Sequence, residues 1–447
     1  MDSDAALESQ IGQWRGYVER HRAISAADAD EMEDHLRNQI ADLSSAGLMS
    51  DEAFLVAVKR MGNVHSISRE FAQEHSDRLW KQLVLTAEPG ADGRQQRSEL
   101  FVVLALALGG AVALNVGSAV LGEEVFARNA GLFVLPFLIG YFVWKRRLSL
   151  RAIAALTLPF VVAAVVLNVY PFDPDGATAV IATIHAPIAL WFAVGFAYVG
   201  GKWRSDRRRM DFIRFTGEWV VYLTLLALGA GVLMALTVGA FEALGTDVEW
   251  AIEDWIVPIG VAGGILVAAW LVEAKQNVVE NIAPVLTRVF TPLTTIMLLV
   301  LLASFIAEGS LVDVDRNLLI LMDLILVLVL GLLLYAISAR DPLAPADLFD
   351  RLQLVLVLSA LAVDVLMLVA MLTRIAEFGF TPNKVTALGL NLVLLVNLSW
   401  SAYLLVGFLR SRRDFATMER WQTRYLPTFG IWAALVVLVI PPVFGFA

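Results

Sequence analysis

The chain has 447 residues, of which 58% are hydrophobic and 17% are charged. A soluble domain is about half apolar and about a quarter charged, so this excess of apolar residues indicates a membrane protein. The formal net charge of -9 averages a charged N-terminal region with an apolar remainder, and no nucleic-acid partner is expected. The chain contains no cysteine, which excludes disulfides, thiol catalysis and cysteine-ligated metals.

Residues 1–84 are polar, and their apolar side chains recur at helical spacing. Three stripes predict three helices: Leu7, Ile11, Trp14 and Val18; Met32, Leu36, Ile40 and Leu43; and Phe54, Leu55, Val58 and Met61. Ser25 and Ser50 precede the second and third stripes and are followed by acidic residues, as is typical of helix N-termini. Asn63 can cap a fourth helix. These residues predict a small cytoplasmic bundle of three or four helices with Trp14 in its core.

Several short segments of this bundle resemble the bacterial permease prefix domain. They are Trp14 with Arg15, the sequence EMEDHLR at 31–37, GLMSDEAF at 47–54 and RMG at 60–62. The resemblance ends near residue 75. It implies a cytoplasmic helical module joined to a bacterial membrane protein, often a permease-like one, and it implies no reaction. Residues 85–99 are polar and contain proline and glycine, which predicts a flexible linker before a transmembrane domain at 100–447.

Beyond residue 100 the chain consists mostly of long apolar runs. A membrane-spanning helix needs about 20 such residues. The sequence predicts about eleven transmembrane helices, and the short second run could be a half-spanning element. The runs lie near 101–121, 130–144, 152–170, 179–199, 216–241, 255–272, 290–306, 317–338, 352–372, 385–408 and 427–446. The predicted fold class is therefore an all-α polytopic membrane protein with a small N-terminal helical bundle.

The loops between these runs alternate in charge. Even-numbered loops hold 19 lysine and arginine residues, and odd-numbered loops hold four. Because basic loops stay on the cytoplasmic side, this pattern predicts a cytoplasmic N-terminus and, for an odd number of spans, an outer C-terminus. With the resemblance to the bacterial permease prefix domain, it implies a multi-pass protein of the bacterial inner membrane. The basic cluster at 202–209 could also bind anionic lipid head groups.

Four polar residues interrupt the eighth, ninth and tenth runs. Asp364 and Asn397 fall at similar depth, which predicts a hydrogen bond between neighbouring helices, and Asp323 matches the depth of Asn391. A carboxylate at the centre of a membrane helix costs about 2.5–3.5 kcal/mol, so each one needs an explanation. The four residues could form one polar seam that binds a cation, a proton or a polar substrate. They could equally be contacts that only hold the helices together.

Three more residues belong to this hypothesis. Arg374 and Lys384 are expected at the outer mouth of the seam, and His185 in the fourth run is a weaker candidate. The alternative for His185 is a neutral imidazole hydrogen-bonded to a backbone carbonyl that Pro187 leaves free.

The last part of the chain resembles a second family, one of uncharacterised bacterial multi-span proteins with a Tyr-Gly-x-Thr-Pro-Asn-Arg loop. Here the loop reads Phe378, Gly379, Phe380, Thr381, Pro382, Asn383 and Lys384, so the first and last positions differ from the family pattern. This resemblance implies kinship and no function.

These observations favour a transporter-like or sensor-like inner-membrane protein whose region 1–84 mediates interaction or regulation. No Walker A, His-Glu-x-x-His or Gly-x-Ser-x-Gly sequence is present, so no enzymatic activity is expected. No catalytic residue, cofactor or metal site is predicted. The expected partners are the lipid bilayer and a protein bound through residues 1–84. The alternatives are a membrane-embedded enzyme acting on lipid or envelope precursors, and a scaffold subunit of a membrane complex.

Overall fold

A computed structural model describes residues 7–12, 14–15, 26–45, 48–62, 92–173, 176–243, 249–274, 282–308 and 316–447. All secondary-structure elements in these ranges are helices, which confirms the predicted all-α fold. The chain divides into two compact units, Met1–Glu99 and Leu100–Ala447. The fourth helix predicted after Asn63 lies outside the described residues.

The first unit contains helical residues at 7–12 and 14–15, followed by α1 (Ala26–Ser45) and α2 (Ser50–Gly62). These segments share one apolar core in which Trp14 is fully buried, as the sequence predicts. Its other members are Ile11, Leu36, Ile40, Leu43, Ala53, Phe54, Ala57 and Val58. Leu55 is only partly buried, because the buried face of α2 runs through the two alanines instead.

The second unit is built from long helices. They are α3 (Asp92–Val120), α4 (Glu123–Arg146), α5 (Leu150–Val169), α6 (Ala177–Tyr198), α7 (Asp206–Ala243), α8 (Val257–Ala274), α9 (Ile282–Glu308), α10 (Arg316–Ala339), α11 (Leu348–Phe378), α12 (Pro382–Leu409), α13 (Ala416–Leu438) and the short α14 (Ile440–Val443). A π-helical segment, Ile252–Ile256, leads into α8. Ten of the described helices, α3 to α12, are long and apolar enough to cross a membrane.

The boundaries of three elements differ from the sequence prediction. The short second run is part of α4, a helix of 24 residues, so it is not a half-spanning element. The eleventh run corresponds to α13, which begins earlier, at Ala416, and carries Glu419, Arg420 and Gln422 in its first half. That polar half explains why α13 is not one of the ten long apolar helices. The linker predicted at 85–99 is helical from Asp92 onward, because glutamine and arginine extend the helix of the first span.

The loops that join α4 to α5, α6 to α7, α10 to α11 and α12 to α13 lie at one end of the bundle, which we call the basic end. Arg146 donates from Nε to the carbonyl oxygen of Tyr198 at 3.1 Å, which joins the first two loops. Arg424 lies 3.5 Å from Asp206. The guanidinium of Arg340 stacks on the ring of Phe415.

The helices that carry the candidate site pack against one another. Within the second unit, α11 contacts α9, α10 and α12, and α10 also contacts α9 and α12. Arg340, just after α10, fixes this arrangement at the basic end because it donates to both carboxylate oxygens of Asp350 in α11 at 2.9 Å. Asp350 is fully buried and also forms a capping box with Asp347 at the start of α11. The pair sets the register of α10 against α11.

Candidate functional site

Asp323 of α10 and Asn391 of α12 form the first half of the candidate site. Asn391 is fully buried and donates one amide hydrogen to Asp323 Oδ1 at 3.0 Å. Its other amide hydrogen is donated to the carbonyl oxygen of Ala387, also at 3.0 Å. The sequence predicted that these two residues share a depth, and the structure places them in direct contact.

Asp364 of α11 forms the second half. Its side chain is fully buried, and neither carboxylate oxygen has a hydrogen-bond partner within the described residues. The Asp364 carboxyl is near enough to Asp323 for the two groups to interact electrostatically. The two acids also lie at the same number of residues from the basic ends of their helices, Ala339 and Leu348. The structure therefore brings Asp323, Asp364 and Asn391 together.

The predicted hydrogen bond between Asp364 and Asn397 is wrong. Asn397 donates instead to Gln422 Oε1 of α13 at 2.9 Å, and Gln422 donates to Ser401 Oγ at 2.8 Å. Helix geometry explains the difference. Asn391 and Asn397 are six residues apart, so at about 100° per residue they point to sides of α12 that differ by about 120°. Asn391 faces the acids, whereas Asn397 faces α13.

Lys384 does not contact the acids either. Its ammonium donates to the carbonyl oxygens of Arg374 and Gly379, at 3.2 and 3.0 Å, and lies over the ring of Phe378. A cation at the C-terminal end of a helix satisfies free carbonyls and is favoured by the helix dipole. The described contacts thus give Lys384 a capping role at the end of α11, where the sequence predicted a mouth of the seam.

His185 of α6 has a local backbone partner. Its Nδ1 lies 2.9 Å from the carbonyl oxygen of Ile181, one turn earlier in the same helix. The carbonyl that Pro187 leaves free belongs to Thr183, so the acceptor differs from the one expected. No described contact joins His185 to Asp323 or Asp364.

Sequence reasoning missed two polar features beside the site. The first is a row of buried threonines on α9: Thr287, Thr291, Thr294 and Thr295. Their spacing of four, three and one places them on one face, and α9 packs against both helices that carry the acids. The second is Gln422. It falls at helical spacing with Met418, Leu426 and Ala433, and this stripe in the sequence could have predicted its burial.

The site contains more hydrogen-bond acceptors than donors. Asp364 Oδ1, Asp364 Oδ2 and Asn391 Oδ1 are buried oxygens without a donor in the described residues. Leaving buried acceptors and a buried charge uncompensated is costly, and a proton or a cation removes that cost. The described residues contain no group of three or more histidine or acidic side chains placed to hold a metal ion, a set that a divalent ion would favour. A proton or a cation placed among the three buried oxygens would supply the missing partner.

Fold and site together define an all-α, multi-pass membrane protein whose helical bundle holds two acids, the fully buried Asp364 and the half-buried Asp323. No protein-family model, no curated protein and no solved structure matches the chain.

Proposed function

We propose that this protein is a transporter-like or sensor-like membrane protein in which Asp323, Asp364 and Asn391 bind and release one positive charge. The charge is a proton or a monovalent cation. The single observation that carries the proposal is the Asp364 carboxyl, which is fully buried and has no described hydrogen-bond partner. Ionisable residues inside a membrane bundle commonly mark ion pathways or proton relays.

The helices around the site can respond to its charge state. Asn391 of α12 donates a hydrogen bond to Asp323 of α10, and Asp364 lies on α11. A proton or cation bound by the two acids therefore changes the forces among these three helices. The Arg340–Asp350 pair holds α10 and α11 together at the basic end, so we expect movement to be largest away from that end. Nothing in the contacts of either acid favours the alternative of a membrane-embedded enzyme.

The proposal includes a location and a partner. The basic end faces the cytoplasm of a bacterial cell, because lysine and arginine are enriched in cytoplasmic loops. Region 1–84, which resembles a permease prefix domain, then lies in the cytoplasm, where it binds a protein partner or regulates the membrane bundle. The C-terminus then lies outside, because the backbone N–H of Asp173, in the loop at the opposite end of the bundle, donates to the carbonyl oxygen of Phe446 at 3.0 Å.

Ion flux in liposomes tests this proposal. The full-length protein is reconstituted into liposomes with an internal dye selective for protons, sodium or potassium, and a gradient of the matching ion is imposed. We expect ion-dependent flux with the wild type and its loss with Asp364→Asn, because a carboxamide cannot exchange the charge. Glu377→Gln is the matched control, since Glu377 is an exposed acid on the same helix. If Asp364→Asn and Asp323→Asn both keep full flux, the proposed site is wrong. A protein without flux in any gradient would contradict the transporter-like function and leave the sensor-like function and the scaffold alternative.

A further inference from the structure

An apolar groove lies between α5, α6 and α13, away from the acids. It has a volume of about 510 Å³, within the range of about 300–1,000 Å³ that is typical of ligand pockets. All 15 residues that line it are apolar, six from α5, six from α6 and three from α13. Many are alanine, among them Ala155, Ala163, Ala189 and Ala193, and these short side chains leave the space open.

Contacts between helix ends close the groove at the end away from the basic end. Away from the basic end, the Tyr170 hydroxyl donates to the carbonyl oxygen of Leu438 at 3.1 Å and so ties the end of α5 to the end of α13. The rings of Tyr170, Phe172 and Phe446 pack together beside this contact. From Ala186 to Phe196 the groove follows α6 for about 15 Å, at 1.5 Å per residue. That length matches half of a hydrocarbon core of about 30 Å.

At the basic end of the bundle, positively charged residues lie next to the groove. Arg151 lies one turn before Ala155, so it continues the face of α5 that includes Ala155, Leu158 and Val162. The loops before α5 and after α6 meet here, because a β-carbon on Gly201 would lie 4.0 Å from the side chain of Leu148. Both loops are basic, and their exposed cations include Arg147, Arg151, Lys202 and Arg204.

A tryptophan joins the groove to these loops. Trp203 packs against Phe192, a groove residue, with ring centroids 6.4 Å apart. Tryptophan favours the boundary between hydrocarbon and head groups, so the basic residues lie at head-group level and the groove lies in the hydrocarbon of one leaflet. An acyl chain matches the length and apolar lining of the groove, and an anionic head group is complementary in charge to the basic loops beside it.

We propose that the groove binds one acyl chain of an anionic phospholipid, whose phosphate is held by Arg151 and its basic neighbours. The site is independent of the acids of α10 and α11, so it stands whether or not they move an ion. A lipid bound here would contact α5, α6 and α13 at the same time and so bridge α5 and α13.

Lipid retention tests the proposal. The full-length protein is placed in nanodiscs of phosphatidylcholine or of phosphatidylcholine with phosphatidylglycerol, extracted into mild detergent, and weighed by native mass spectrometry. We expect one phosphatidylglycerol to remain bound and phosphatidylcholine to be lost. Arg151→Gln should lower the preference for phosphatidylglycerol about fivefold, the contribution of one basic residue near a membrane surface. Arg412→Gln, in the loop before α13, should leave the preference unchanged.

A second pair of variants tests the groove itself. Ala155→Phe fills it, whereas Ala154→Phe places the same ring on an exposed position of α5 outside the lining. We expect Ala155→Phe to lose the retained lipid and Ala154→Phe to keep it. Equal retention of the two lipids by the wild type would overturn the proposal, and so would equal retention by the two phenylalanine variants. Because Arg151 is exposed, its variant decides the question even if Ala155→Phe fails to fold.

Discussion

Ion pairs of Glu33 and Arg37 in α1 connect this helix to the helical residues at 7–12 and 14–15. Arg15 donates from Nη1 to Glu33 Oε2 at 2.7 Å, and Arg37 donates from Nε to Glu33 Oε1 at 2.9 Å. Arg37 also forms a two-pronged pair with Glu8 at 2.6 and 2.8 Å. The hydrogen bond from Arg15 is the main reason why the pKa of Glu33 lies below its usual value, and Arg37 adds to the effect.

This depressed pKa predicts a loss of stability in acid. Since folding lowers the pKa of Glu33, its contribution is complete above the ordinary glutamate value of 4.5 and is lost as the pH falls through the lower, folded value. The loss should be on the order of 1 kcal/mol or less, because the arginines are partly exposed. Urea unfolding of a fragment with residues 1–99, followed by circular dichroism at several pH values, measures it. Glu33→Gln should flatten the acid limb, whereas Asp42→Asn should not. An unchanged limb in Glu33→Gln would show that the pairs add nothing.

Some contacts of single residues in the site could be predicted from the sequence and others could not. Depth along a helix follows from counting residues, so Asp323 and Asn391 could be paired correctly from the sequence alone. Direction around a helix requires the neighbours to be known, and that is why Asn397 was assigned to the wrong partner. Its partner, Gln422, lies in a stretch that looked like a polar loop because it precedes the apolar run. The proximity of Asp364 to Asp323 likewise depends on how α10 and α11 are packed.

Between helices, close packing of α12 against α13 depends on Gly389. A β-carbon at this position would overlap the ring of Trp432 in α13, so only glycine allows the two helices to approach. The same contact surface holds Asn397 and Gln422 at hydrogen-bond distance. Gly331 in α10 is different, because a β-carbon there meets nothing within 4 Å.

These two glycines predict opposite outcomes for the same substitution. Gly389→Ala should lower the free energy of unfolding by about 1–3 kcal/mol, the usual cost of overpacking a filled interior. Gly331→Ala should be neutral or stabilise the helix by up to about 1 kcal/mol, because alanine has the higher helix propensity. Thermal unfolding of the two purified variants in the same detergent measures the difference. Equal midpoints would contradict the packing described for α12 and α13.

At the scale of the whole molecule, much of the fold could be predicted from the sequence. Apolar runs predicted the long helices because each span must satisfy its own backbone hydrogen bonds in lipid. The start of α13 could not be predicted, because most residues of its first half are polar. Even its buried side includes Gln422 and Thr423. The threonine face of α9 was missed for a related reason. Threonine hydroxyls can bond within their own helix, as Thr295 does to the carbonyl oxygen of Thr291, so they do not interrupt an apolar run.

A titration of stability tests most directly whether Asp323 and Asp364 hold one exchangeable positive charge. The thermal unfolding midpoint of the full-length protein is measured in detergent from mildly acidic to mildly alkaline pH, first with choline and then with sodium, potassium or lithium as the only salt cation. A ligand that binds only the folded state raises the midpoint, by an amount that grows with the logarithm of the ligand concentration relative to its dissociation constant. The account predicts that the wild type responds to pH or to one of these cations, that Asp364→Asn abolishes the response and that Glu377→Gln preserves it. Identical titration curves for the wild type and Asp364→Asn would contradict the account.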